Sequence, residues 1–195
     1  MKCGNQRIVI ILVVLVCIAS SLAAREFALR DTEVHEIYSE NVRKNYTITV
    51  ALPKNYQRSS RSYPVVFVLD GDANFALTTE IARPLMDVEG LTEMIIVGIG
   101  YGVAPGEAVW IARRERDFTP VRMAYYKESG MTGGAFKFLP FIKDELIPFV
   151  ESNYRTMPED RTIMGHSLGG LFVLYTLLRA PDIFNRYAAM SPSLW

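Results

Sequence analysis

The chain has 195 residues, half of them apolar, with 21 basic and 21 acidic side chains and a formal net charge of zero. That length buries one substantial core and falls short of two ordinary domains. The balanced charge, with no basic run, excludes the electrostatic footprint of a nucleic-acid binder.

Met1 to Ala24 carries Lys2 and Arg7, then an apolar run from Ile8 to Ile18, then small residues ending in Ser21-Leu22-Ala23-Ala24. This is the grammar of a cleaved signal peptide. Ile8 to Ala24, interrupted by two serines, is shorter than the roughly 20 apolar residues of a spanning helix. The expectation is an exported protein, periplasmic or secreted, of residues 25–195, with no stable membrane span after cleavage. Cys3 and Cys17 both lie in the leader, so the mature chain has no disulfide, thiolate nucleophile or cysteine metal site. Loss of Lys2 and Arg7 leaves 19 basic residues against 21 acidic, a net charge near −2.

Val34–Tyr38 and Tyr46–Leu52 read as strands, the second with the period of two of a half-buried strand. Pro53–Tyr63 is a polar connection. Val65–Leu69 and Met94–Val97 are continuous apolar runs, the pattern of strands covered on both faces. Phe75–Val88 and Phe138–Val150 read as helices, with Pro148 expected to kink or restart the second. Gly98-x-Gly100-x-Gly102 lacks the spacing of a dinucleotide loop and reads as a rim loop. Then come a short strand Thr162–Met164, a helix Leu168–Arg179 stopped near Pro181, and a strand Tyr187–Met190. Strands alternating with helices predict an α/β fold, a mostly parallel sheet with helices on both faces.

Gly165-His166-Ser167-Leu168-Gly169 matches G-x-S-x-G, placed between an apolar strand and a helix that begins at once. A serine on so tight a turn needs small neighbours two residues to either side, and Gly165 and Gly169 supply them. Ser167 is therefore the candidate nucleophile. The N-terminal amides of the following helix favour negative charge, which makes the Leu168 amide the first oxyanion donor. The strand Val65–Leu69 runs into Asp70-Gly71-Asp72, and the second donor is expected there, at the amide of Asp72 or, alternatively, of Gly71.

Leu69-Asp70-Gly71-Asp72, Val97-Gly98-Ile99-Gly100-Tyr101, Arg114 to Pro120, Glu145-Leu146-Ile147-Pro148, Gly165 to Gly170 and Ser191-Pro192-Ser193-Leu194-Trp195 occur in that order. Together they resemble the putative-esterase family of α/β-hydrolases, which holds enterochelin (siderophore) esterases, esterase D-type enzymes and mycolyltransferases. The resemblance runs from about Val34 to Trp195 and is strongest to the periplasmic siderophore-esterase branch. It implies an α/β-hydrolase fold, Ser167 as nucleophile, and the amides of Asp72 and Leu168 as oxyanion hole. It also implies that the triad acid and histidine follow the strand ending at Ser191, so that the 195 residues form a C-terminally truncated hydrolase domain.

Serine needs a neighbouring base, and the chain has two histidines. His166 sits on the elbow pointing a different way from Ser167, and His35 falls on the first strand, far from the elbow. The chain alone is thus expected to turn over little ester. Arg113, Arg114 and Arg116 gather beside Asp117; Arg114 and Arg116 are candidate contacts for an anionic substrate such as a catecholate siderophore, the alternatives being a solvated charge run or a structural Arg–Asp pair. No metal-ligand motif is present and serine chemistry needs no cofactor. The expected activity is hydrolysis of a siderophore lactone or another small ester through an acyl-enzyme. An acyltransferase with the same nucleophile, or a noncatalytic protein of the same fold, are the alternatives. Oligomeric state is not legible.

Overall fold

The computed structural model describes residues 28–122 and 131–194. The predicted leader, both cysteines and Trp195 lie outside the described residues. Within them are the strands β1 (Thr32–Ser39), β2 (Lys44–Ala51), β3 (Tyr63–Leu69), β4 (Ile95–Gly100), β5 (Thr156–His166) and β6 (Arg186–Met190). The α-helices are α1 (Gly71–Val88), α2 (Ala108–Phe118), α3 (Ala135–Pro140), α4 (Ile147–Asn153) and α5 (Leu168–Arg179). Among the described residues no helix is long and apolar enough to cross a membrane.

The strands form one sheet in the order β1-β2-β4-β3-β5-β6. β1 pairs with β2 and β2 with β4 antiparallel, while β4, β3, β5 and β6 run parallel. Alternation along the central strands divides the core between the two faces. Val65, Phe67 and Leu69 of β3 and Ile95, Val97 and Ile99 of β4 join Phe138, Phe141, Leu146, Val150 and Phe172 beneath α3, α4 and α5. Val68 and Ile96 join Phe75 and Ala82 of α1 on the opposite face. With apolar residues pointing both ways these strands read as unbroken hydrophobic runs, as a doubly covered sheet requires.

The structure departs from the sequence reading at several elements, among them the strand expected as short at Thr162–Met164, which runs over 11 residues as β5. Helix α1 begins at Gly71 rather than Phe75, because Asp70 adopts a left-handed conformation (φ 53°, ψ 49°) that turns the chain out of β3 at once. The helix expected over 138–150 restarts at Pro148 as expected, but it begins at Ala135 and is three pieces: α3, a π-helical segment Phe141–Leu146, and α4, with Pro148 in its first turn. Pro148 has no amide hydrogen to donate, and the wider π turn accommodates the missing bond. Helix α2 was not anticipated at all.

An apolar groove is open to solvent. Leu77, Ile81 and Leu85 of α1 line it with Met164 of β5 and Met190 of β6, enclosing about 340 Å³. Leu77 and Ile81 are 61% and 54% exposed. The chain is expected to enhance the fluorescence of a hydrophobic dye such as ANS. Leu77→Asp combined with Ile81→Asp should lower that signal by roughly half while leaving the melting temperature nearly unchanged, since exposed positions contribute little to stability. Equal dye binding by the variant would place the apolar surface elsewhere.

Candidate active site

Strand β5 ends at His166 and α5 begins at Leu168, so Ser167 alone makes the turn. Its backbone is at φ 58°, ψ −119°, a conformation that ordinary L residues rarely adopt and that costs of order 1–3 kcal/mol. Two backbone bonds to the end of β6 and the residues after it hold it there. The Ser167 amide donates to the Met190 carbonyl at 3.0 Å, and the Ser193 amide donates to the Ser167 carbonyl at 3.1 Å. The end of β6 therefore clamps the elbow from the side.

The glycines around the turn are not equivalent. A Cβ on Gly165 would lie 2.6 Å from the backbone C and O of Gly169, and one on Gly170 would lie 2.8 Å from the Met190 carbonyl oxygen. On Gly169 it would meet nothing closer than Leu69 Cβ at 3.5 Å, an ordinary contact. The requirement for small residues thus falls on Gly165 and Gly170 rather than symmetrically on Gly165 and Gly169.

The turn after β3 lies beside the elbow. A Cβ on Gly169 would be 3.6 Å from Asp70 Oδ2, which places the Asp70 carboxylate against the first turn of α5. Gly71 packs so closely on β4 that a Cβ would sit 2.7 Å from the Ile99 amide nitrogen. The Asp72 carboxylate accepts from the amides of Tyr101 at 2.7 Å and Gly102 at 3.0 Å, tying the start of α1 to the end of β4. Gly71, Asp72 and Leu168 are first-turn residues of α1 and α5, so their amides have no intrahelical acceptor. The positive end of the α5 dipole lies directly after Ser167, and α1 begins one residue after Asp70, whose carboxylate adjoins the first turn of α5.

A family model described as "Putative esterase" matches residues 39–195. The chain belongs to that family. It is 36% identical over 178 residues to the ferri-bacillibactin esterase BesA of Bacillus subtilis, covering 86% of this chain and 60% of that protein. To the siderophore enterobactin esterase of Emericella nidulans it is 34% identical over 165 residues, covering 77% of this chain and 54% of that protein. Among solved structures, the BES protein from Bacillus cereus superimposes with a TM-score of 0.79 at 34% identity, covering 90% of this chain and 66% of that one. The chain spans little more than half the length of the two curated relatives. The mixed sheet with helices on both faces is the hydrolase-type fold of these siderophore-esterase neighbours.

Neither histidine of this esterase-family chain meets the nucleophile. His35 Nε2 lies 2.7 Å from the Tyr154 hydroxyl, which donates to Glu33 at 2.6 Å, on the outer strand β1. His166 lines the apolar groove with Leu77, Ile81 and Met190. The Ser167 hydroxyl instead lies 3.1 Å from the hydroxyl of Ser193, a residue only 2% exposed. Sequence reasoning passed over Ser193, because the contact joins residues brought together only by the return of β6 beside β5.

The two arginines singled out in the sequence are committed to carboxylates. Arg114 makes a two-pronged bond to Asp70, at 2.9 Å from both Nε and Nη2, and its guanidinium lies over Trp110 and Phe118. Arg116 grips Asp117 at 2.7 and 2.9 Å, and Asp117 also accepts from the Tyr46 hydroxyl at 2.7 Å. Of the sequence readings of these residues, the geometry fits a structural Arg–Asp pair at Arg116, while the partner of Arg114 is the distant Asp70. Burial pushes the Asp70 and Asp117 carboxyls above the usual carboxylate range, with Arg114 and Arg116 pulling the other way. Burial and then the Asp117 carboxylate hold the Tyr46 phenol well above its ordinary value.

Proposed function

We propose that this chain carries the nucleophile and oxyanion hole of a serine esterase, with Ser167 as nucleophile and the amides of Leu168 and Asp72, or of Gly71 in place of Asp72, as donors. The observation that carries this reading is the backbone of Ser167, held at φ 58°, ψ −119° between strand β5 and the positive end of α5. The Ser167 hydroxyl attacks the ester carbonyl, and the amides stabilise the oxygen as it becomes negative. Collapse of the tetrahedral intermediate expels the alcohol, which takes up a proton, and leaves an acyl group on Ser167. Water then attacks that acyl group, releasing the acid and restoring the serine.

The proton taken from Ser167 needs a base that neither His35 nor His166 supplies, so we assign that role to a histidine outside this sequence. The favoured substrate is an ester of a siderophore, such as a lactone, on the strength of relatives named as esterases of ferri-bacillibactin and enterobactin.

Imidazole in solution can stand in for a missing base. A fluorophosphonate probe is expected to add its mass to the peptide containing Ser167, faster as imidazole is raised, and to leave Ser167→Ala unlabelled. Labelling that survives in the alanine variant, or no labelling at any imidazole concentration, would remove Ser167 from the nucleophile's role. Rapid ester turnover without imidazole, abolished in the alanine variant, would keep the nucleophile and refute the external base.

A further inference from the structure

The turn that would supply the second oxyanion donor is held by side chains that the reaction itself does not use. Asp70 is left-handed, 3% exposed, and its carbonyl accepts from the amides of Ala73 and Asn74 at 2.9 Å each. Asn74 in turn donates through Nδ2 to the Leu69 carbonyl at 3.1 Å. This makes the backbone of 69–74 compact, and the side chains on either side of Gly71 tie it to neighbouring elements. Asp72 is tied to the end of β4, and Asp70 is tied to Arg114 of α2, 44 residues along the chain.

The Asp70 carboxylate also poses an electrostatic problem. It adjoins the first turn of α5, where a negative oxygen would develop, and a second negative charge there opposes it. The Arg114 guanidinium meets both carboxylate oxygens at 2.9 Å with its own side chain 15% exposed. At that geometry it cancels the charge locally as well as fixing its position. Stacking over Trp110 at 4.9 Å and Phe118 at 5.7 Å fixes the guanidinium plane in its turn.

We infer that Arg114 is a positioning residue: through Asp70 it sets the Asp70–Asp72 turn against the elbow and neutralises the carboxylate beside the oxyanion site. Its catalytic consequence rests on the assignment of Ser167 above, while its effect on the turn does not. Arg114→Gln removes the fork and the charge, and Arg114→Lys keeps the charge without the fork.

The test uses the 195-residue chain with two readouts. The first is the rate of imidazole-assisted fluorophosphonate labelling, which is expected to fall about tenfold or more in Arg114→Gln and by less in Arg114→Lys, as for a misplaced oxyanion donor. Asp70→Asn in the Arg114→Gln background should restore part of the rate by removing the uncompensated charge. The second readout is the amide NMR signals of Gly71 and Asp72, expected to shift or broaden in Arg114→Gln while those of β1 and β2 stay in place. Unmoved Gly71 and Asp72 signals would overturn the inference. So would a wild-type labelling rate in a folded Arg114→Gln. Should Arg114→Gln fail to fold, Arg114→Lys alone decides, with unchanged rate and signals overturning the inference. Should the wild-type chain fail to label, the assignment of Ser167 falls and the amide signals still decide for or against Arg114.

Discussion

Gly165→Ala is expected to destabilise the chain by roughly 3 kcal/mol, at the upper end of what overpacking costs, and to abolish fluorophosphonate labelling of Ser167. The added Cβ would lie 2.6 Å from the backbone C and O of Gly169 and 2.9 Å from Leu69 Cδ1. A side-chain tip could rotate away, but the obstruction is the first turn of α5 itself. Relief requires α5 to move off β5, which pulls on the two bonds from the β6 end that hold Ser167 in its strained conformation. For a domain of this size such a loss lowers the melting temperature by about 10 °C. Gly169→Ala is the control, since its Cβ has room at 3.5 Å and alanine favours the helix that α5 already is. A thermal melt and a labelling time course on both variants decide the matter. Equal behaviour of the two would mean that the elbow is not the close contact described above.

The contrast between those two glycines shows where sequence reading reaches its limit. G-x-S-x-G was legible because everything it needs lies within five residues of a strand-to-helix turn, and the central strands were legible because doubly buried strands are written as continuous apolar runs. Which glycine is sterically required depends on how α5 packs on β5 and β6, and the pentapeptide does not record that. Helix α2 was missed for a related reason. Its segment Arg113-Arg114-Glu115-Arg116-Asp117 has five charged residues in succession, which resembles a solvated run. In the fold Glu115 and Asp117 are buried, and Arg113 and Arg114 reach partners on distant elements. The Asp70–Arg114 pair spans 44 residues and the Tyr46–Asp117 bond 71, so no local pattern announces them. Ser193 escaped for the same cause, being paired with Ser167 only through the parallel register of β5 and β6.

Arg116→Met is expected to cost about 3–5 kcal/mol, because removing one partner of a buried pair leaves the other charge uncompensated. Asp117 is fully buried, and after the substitution the Tyr46 hydroxyl at 2.7 Å and the neighbouring Tyr101 hydroxyl are left to meet its charge. Its carboxyl is already pushed up by burial, with Arg116 the largest influence holding it down, so the variant raises it further. A carboxyl whose folded-state value lies above its unfolded value binds more protons folded than unfolded across the interval between them. Stability in that interval falls as pH rises. The variant should therefore be more stable at pH 5.5 than at pH 8, and by a wider margin than wild type. Arg116→Met with Asp117→Asn removes the charge and keeps an acceptor for Tyr46, so it should recover most of the loss and flatten the pH dependence. Urea unfolding of wild type and both variants at the two pH values provides the measurement. A loss below about 1 kcal/mol in Arg116→Met, or a double variant no better than the single, would mean that Asp117 draws its compensation from elsewhere in the fold.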